Sequence, residues 1–207
     1  MDKLFKHINP TRAIDIGAHV GNFTKQLSYR YPSCKTVMIE ANPNCESYLR
    51  LLSKPYHIMA LSDKEGYADL YVEKINPVAT GASIYKENTD WYGEGKYETV
   101  RVPTRTLDSL NIYDNEPIDF IKIDVQGSEL DILNGASQTM NRTEYVSCEV
   151  ALAQYNQGAP LIGEVVDKMR DYGFCIIDIV EYHSFPQLYN GAYFQLDLLF
   201  KKSRYLL

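Results

Sequence analysis

Apolar and polar positions along the chain switch repeatedly between two periods, and each switch marks an element. Arg12 to Ile16 is a short apolar run that reads as a strand, and Phe23, Leu27 and Tyr31 then recur at helical spacing until Pro32 stops the segment. Lys35 to Ile39 reads as a second strand. Asn42-Pro43-Asn44 supplies a turn and cap for a helix through Tyr48, Leu51 and Leu52, Pro55 closes it, and Tyr56 to Leu61 reads as a third strand. Tyr67 to Glu73 and Glu98 to Thr104 both alternate with period two, which predicts an antiparallel excursion rather than another crossover unit. Ile118 to Asp124 is a fourth core strand, Gly127-Ser128-Glu129 opens a helix with Leu130, Leu133 and Ala136 inside, and Tyr145 to Val150 is a fifth strand. After Pro160, Leu161 to Tyr172 reads as an amphipathic helix, and Phe174 to Val180 and Tyr193 to Phe200 as two closing strands.

Strands that alternate with helices predict an α/β fold: a doubly wound, Rossmann-like parallel sheet with helices on both faces. At 207 residues, with 45% hydrophobic and 23% charged positions, the chain reads as a single globular domain spanning 1–207 with one shared core. The formal net charge of −6 opposes a nucleic-acid partner. Lys201, Lys202 and Arg204 form the compact basic cluster, read as a solvated tail. No apolar run is long enough to span a bilayer, and the N-terminus runs into strand pattern without a signal-type apolar region, so a cytoplasmic location is expected. Cys34, Cys45, Cys148 and Cys175 lack both a C-x-x-C spacing and a nearby histidine, and are read as reduced thiols.

Candidate chemistry begins where the first strand turns into the first helix, at Asp15-Ile16-Gly17-Ala18-His19-Val20-Gly21, with Glu40 ending the second strand twenty-three residues after Gly17. This is the nucleotide-binding arrangement of doubly wound folds: glycine lets backbone approach a ligand, the helix N-terminus offers amide donors, and the acidic residue accepts ribose hydroxyls. The spacing is G-x-x-x-G rather than the G-x-G-x-x-G that fits a pyrophosphate. A turn headed by Asp15 better suits a ligand with a carboxylate, an ammonium and a ribose. A plain tight strand-to-helix turn is the other reading of these glycines.

Four stretches resemble the FkbM-type S-adenosylmethionine-dependent methyltransferase family. They are DIGAHVGNFT at 15–24, IEANP at 39–43, ALSDKEG at 60–66, and TLDSL at 106–110 with FIKIDVQGSELDILNGA at 120–136. The resemblance runs roughly from Arg12 to Lys201 and implies a methyltransferase fold whose last strand, ending in QLDLLFKK, is antiparallel. It implies that Asp15, Gly17, Gly21 and Asn22 surround the methionine part of S-adenosylmethionine, and that Ala18, His19 and Phe23 of the same stretch also belong to the cofactor site. Glu40 would hold the ribose, and Ala41, Leu61, Ser62 and Asp63 would flank the adenine, with Asp124 and Gln126 closing the site. Gln126 stands where the family often has glutamate.

The activity implied is O-methyl transfer to a hydroxyl of a sugar, glycan or secondary metabolite. A hydroxyl is a weak acid, so a general base or a metal must take or polarise its proton. Asp124 is the first candidate base, at the end of the fourth strand beside the switch point. Strand alternation places Lys122 on the same face, as a catalytic partner or as a plain ion pair. Glu149, at the end of the fifth strand, can hold substrate, assist Asp124, share a divalent ion (Mg²⁺ or Mn²⁺) with it, or simply cap a loop. His183, in the loop after the sixth strand, is a second base candidate or an uninvolved loop residue. The long segment 76–97, with Gly81, Ser83, Tyr85, Trp91, Tyr92, Gly93 and Gly95, reads as a substrate lid, or as core packing or an oligomer contact. A nucleotide-linked oxidoreductase and an inactive methyltransferase-like binding protein stand as rival functions.

Overall fold

The computed structural model describes residues 3–88, 93, 95–184 and 191–203. Its main sheet contains β1 (Arg12–Ile16), β2 (Lys35–Glu40), β3 (Tyr56–Ile58), β7 (Ile118–Ile123), β8 (Thr143–Ala151), β9 (Phe174–Ser184) and β10 (Tyr193–Lys202), in the order β3-β2-β1-β7-β8-β10-β9. β1, β2, β3, β7 and β8 run parallel, and β10 is antiparallel to both its neighbours. This is the mostly parallel, Rossmann-like α/β sheet with an antiparallel last strand. β1, β2 and β7 are apolar almost throughout because both faces are covered, as parallel sheets require.

One face packs α3 (Glu129–Asn134) and α5 (Ile162–Asp171) around a core that includes Ile14, Ile16, Ile121, Ile123, Leu133 and Met169. On the other face, α1 (Asn22–Arg30) sets Phe23 and Leu27 against Ala13 and Phe120. A 3₁₀ turn at Pro43–Cys45, capped by the Asn42 side chain on Asn44 N–H, precedes the short α2 (Glu46–Arg50). The helix expected to contain Ala136 ends at Asn134, and a separate α4 (Ser137–Asn141) follows. The break falls at Gly135, where an added Cβ would lie 2.2 Å from the Ser62 carbonyl oxygen.

The third strand is not continuous. β3 pairs with β2, whereas β4 (Ala60–Leu61) joins a second, three-stranded sheet in the order β4-β6-β5, with β5 (Gly66–Glu73) antiparallel to β6 (Tyr97–Arg105). The cause is backbone supply. β2 ends at Glu40, whose carbonyl accepts the Met59 N–H at 2.8 Å, and the groups beyond need partners from β6, as Ser62 N–H finds on Arg105 O. The antiparallel excursion itself runs in register from Gly66 opposite Thr104 to Glu73 opposite Tyr97.

Lys201 and Lys202 are the end of β10 and not a solvated tail. The Lys202 ammonium donates to the carbonyls of Tyr172 and Met140, which it ties to the end of β10. Arg204 lies outside the described residues. All four cysteines are free. No helix among the described residues is long and apolar enough to cross a membrane.

Candidate functional site

The sheet order reverses between β1 and β7, and a cleft of about 900 Å³ opens there beyond the carboxyl ends of the strands. At one end lies the glycine loop. Gly17 and Ala18 N–H groups donate to Ile39 O at 2.9 and 3.1 Å, which holds the loop against β2. The next amide, His19 N–H, donates to Glu40 Oε2 at 2.6 Å, while Asn42 N–H donates to Oε1 at 2.7 Å. Glu40 is only 7% exposed yet lines the cleft, and each of its oxygens keeps a second lone pair for a ligand hydroxyl. Burial raises its pKa against the lowering effect of the two backbone bonds.

Gly17, Ala18, His19, Asn22, Phe23 and Glu40 all line this end, and Ala41 and Leu61 line it further along. Asp15 does not. It is fully buried beneath the loop, accepts the Thr24 hydroxyl at 2.6 Å on Oδ2, and leaves Oδ1 without a hydrogen-bond partner. Gly21 faces Leu52, and Ser62 and Asp63 also stand off the cleft wall, their side chains bonded to each other at 3.1 Å.

At the other end, Asp124 follows β7 and pairs with Lys122 Nζ at 2.5 Å. Burial works to discharge Lys122, but the carboxylates of Asp124 and Asp15 outweigh it and hold its pKa above the ordinary lysine range. The lysine therefore stays cationic between a sealed carboxylate and one on the cleft wall. The ion pair expected as the plain alternative for Asp124 is present, and both residues line the cleft.

Glu149 lies on β8, two residues before its end, and is 8% exposed. Its Oε2 accepts two amides, Gln126 Nε2 at 2.7 Å and Gln195 Nε2 at 2.8 Å. Burial, with Asp124 and Asp197 adding to it, raises its pKa well above the ordinary carboxylate value. Gln126 does more than border the site: at φ 53° it also accepts the Tyr155 hydroxyl on Oε1, and its backbone carbonyl accepts Ser83 Oγ and Asn156 Nδ2. A glutamate there would set a carboxylate against Glu149 instead of a donor. Gln126→Glu is accordingly expected to lower stability at pH 8 by about 1–3 kcal/mol in denaturant titrations, and an unchanged midpoint would mean that the amide contact is not formed.

His183 is not a loop residue. β9 continues to Ser184, and His183 pairs with Gln195 on β10. Its Nε2 lies 3.8 Å from Glu149 Oε1 and 3.6 Å from Asp197 Oδ2. Asp197 outweighs burial and raises its pKa. Asp197, Gln195 and Tyr155 also line the cleft, and no motif in the sequence points to them. The strand QLDLLF did carry a signal, since Gln195 and Asp197 are polar positions two apart in an apolar run and so share one face.

The first part of the 76–97 segment is a strap tied down across the cleft. His19 Nε2 and Val78 O lie 2.6 Å apart, Asn42 Nδ2 donates to Pro77 O, and Ser83 Oγ donates to Gln126 O. Ala79, Ser83 and Ile84 line the cleft, so the strap touches both ends of it. Tyr85 points its hydroxyl at Asp131 instead. Trp91 and Tyr92 lie outside the described residues.

Residues 15–176 match the methyltransferase FkbM domain. The chain belongs to the FkbM methyltransferase family. It is also similar to the 2-O-methyltransferase NoeI of Sinorhizobium fredii (strain NBRC 101917 / NGR234), at 24% identity over 172 residues, covering 77% of this chain and 71% of that one. Among solved structures, the N-terminal domain of EvdMO1 with S-adenosylhomocysteine bound aligns with a TM-score of 0.56 and 8% identity, over 98% of this chain and 79% of that one. TrmK of M. capricolum, in complex with S-adenosylhomocysteine, aligns with a TM-score of 0.53 and 9% identity, over 99% and 68%. At such identities these structures bear on the fold alone, a Rossmann-like α/β sheet that this chain shares with them.

Proposed function

We propose that this FkbM methyltransferase uses S-adenosylmethionine to methylate a hydroxyl group of a sugar, glycan or secondary metabolite. The carrying observation is that one continuous cleft joins Glu40 and the glycine loop to Asp124 and Glu149. The residues present suit the cofactor. Glu40 offers acceptors for a ribose diol, Ile39, Met59 and Leu61 offer apolar walls for a purine, and the loop has no spacing for a pyrophosphate. When bound, S-adenosylmethionine supplies an electrophilic methyl group whose bonding pair returns to sulfur as the acceptor oxygen takes the carbon.

The chain's own residues do the rest. The glycine loop and Glu40 fix one reactant, and the polar far end fixes the other, which supplies much of the rate by positioning. Asp124 accepts the acceptor's hydroxyl proton, while Lys122 remains its cationic partner. Tyr182 and Phe194 line the acceptor end beside Glu181 and Asp197, so aromatic faces and carboxylates meet there as a polyhydroxylated ring requires. NoeI is a 2-O-methyltransferase, and the similarity to it supports a hydroxyl acceptor.

Calorimetry tests the cofactor. The protein is expected to bind S-adenosylmethionine and S-adenosylhomocysteine but not NAD, and tight NAD binding with no S-adenosylmethionine signal overturns the reading. Glu40→Ala should weaken S-adenosylmethionine by about 1–3 kcal/mol, the worth of hydrogen bonds to a buried carboxylate. Unchanged affinity would remove Glu40 from the ribose site.

A further inference from the structure

We propose that Glu149, His183 and Asp197 form a divalent-cation site at the acceptor end of the cleft, built for a first-row transition ion such as Mn²⁺. The three residues come from three adjacent strands. Asp197 on β10 lies directly opposite Glu149 on β8, and His183 on β9 lies opposite Gln195, two residues from Asp197, so all three side chains leave the sheet on one face. Their donor atoms lie within 4.8 Å of one another.

The spacing is that of ligands around a shared ion. His183 Nε2 stands 3.6 and 3.8 Å from its two carboxylate neighbours, too far for hydrogen bonds, whereas nitrogen and oxygen donors at about 2 Å from one metal lie roughly 3–4 Å apart. That nitrogen is also sealed from solvent and has no hydrogen-bond partner. A sealed ring nitrogen that faces two carboxylate oxygens at ion-pair rather than hydrogen-bond distance leaves room for a cation bound by all three.

The surrounding residues orient the set. Gln126 and Gln195 both donate to Glu149 Oε2, which leaves Oε1 turned toward His183. Outer-shell donors that fix a carboxylate in this way are a regular part of metal sites. Charge points the same way, because two carboxylates directly across from each other on paired strands repel, and Glu149 is almost fully buried. Lys122 is engaged by Asp124. One nitrogen and two oxygen donors suit Mn²⁺, Fe²⁺ or Zn²⁺ better than an all-oxygen ion such as Ca²⁺. Three protein ligands leave open positions toward the cleft for an acceptor oxygen, a role that rests on the methyl-transfer reading, whereas the binding site itself does not.

The test is titration of the chelator-stripped full chain with MnCl₂, followed by the electron paramagnetic resonance of free Mn²⁺ and with neither methyl donor nor acceptor present. One saturable site per chain is expected. Gln195→Ala should weaken it by about 10–100-fold, the usual cost of an outer-shell change, and His183→Ala and Asp197→Asn should each weaken it further than that. Asp124→Asn should leave Mn²⁺ affinity within about threefold, since its carboxylate belongs to Lys122. Circular dichroism of each variant without metal checks folding, and His183→Asn replaces His183→Ala if the latter does not fold. Absence of saturable binding, or equal binding by the His183→Ala/Asp197→Asn double variant, overturns the site. S-adenosylmethionine binding without Mn²⁺ binding sinks the cation site alone, and Mn²⁺ binding without S-adenosylmethionine binding sinks the methyl-transfer reading alone.

Discussion

Asp124→Asn is expected to lower turnover by about 10²–10⁴-fold while leaving S-adenosylmethionine affinity nearly unchanged. Asparagine keeps the shape of the side chain and an oxygen for Lys122, so what it removes is the charge and the ability to receive a proton. Asp124 sits just past the end of β7, its N–H bonded to Ile16 O at 3.1 Å, so its backbone is fixed at the switch point whichever side chain it carries. The substitution also leaves Lys122 with Asp15 as its main anionic neighbour, and a modest loss of stability should accompany the loss of turnover. The two effects separate experimentally, because single-turnover rates on folded protein report the proton transfer and denaturant midpoints report the ion pair. Full activity in the asparagine variant would remove Asp124 from the reaction.

Gly17→Ala is expected to destabilise the fold by roughly 3 kcal/mol or more, measured by urea denaturation. Gly17 has φ +76°, and a Cβ there would lie 1.7 Å from the Asp124 carbonyl oxygen and 2.7 Å from its carbon. Those are backbone atoms of the strand end next to β1, so they cannot swing away as a side chain does. The chain must either part β1 from β7 at the switch point or abandon the loop, and both routes also damage cofactor binding. Gly158→Ala isolates the backbone term. Gly158 has almost the same φ, +75°, with nothing within 4 Å of the added Cβ, so it should cost only about 1–2 kcal/mol for the left-handed conformation. Equal losses at the two positions would show that close approach to Asp124 is not what requires glycine at 17.

Much of the architecture is determined by the sequence itself, because the information is local. β1, β2 and β7 are covered on both faces, so each is a short, mostly apolar segment that is legible along the chain. The β5–β6 excursion shows in its period-two alternation, and the glycine loop and Glu40 are legible because a strand-to-helix turn and the next strand end lie close along the chain. Tertiary structure decided the rest wherever a residue's surroundings come from a distant segment. The break between β3 and β4 follows from where β2 runs out of backbone partners, which residues 56–61 do not encode. Asp15 is sealed beneath the loop, where Thr24 on the following helix donates to its carboxylate, a contact that its place in the glycine motif does not encode. Glu149, His183 and Asp197 are 34 and 14 residues apart, and only the antiparallel insertion of β10 between β8 and β9 brings them to one face. Periodicity shows that Gln195 and Asp197 share a side of their strand. Which residues they meet there is fixed by the register of two neighbouring strands, and that register is set by packing across the whole sheet rather than by the residues themselves.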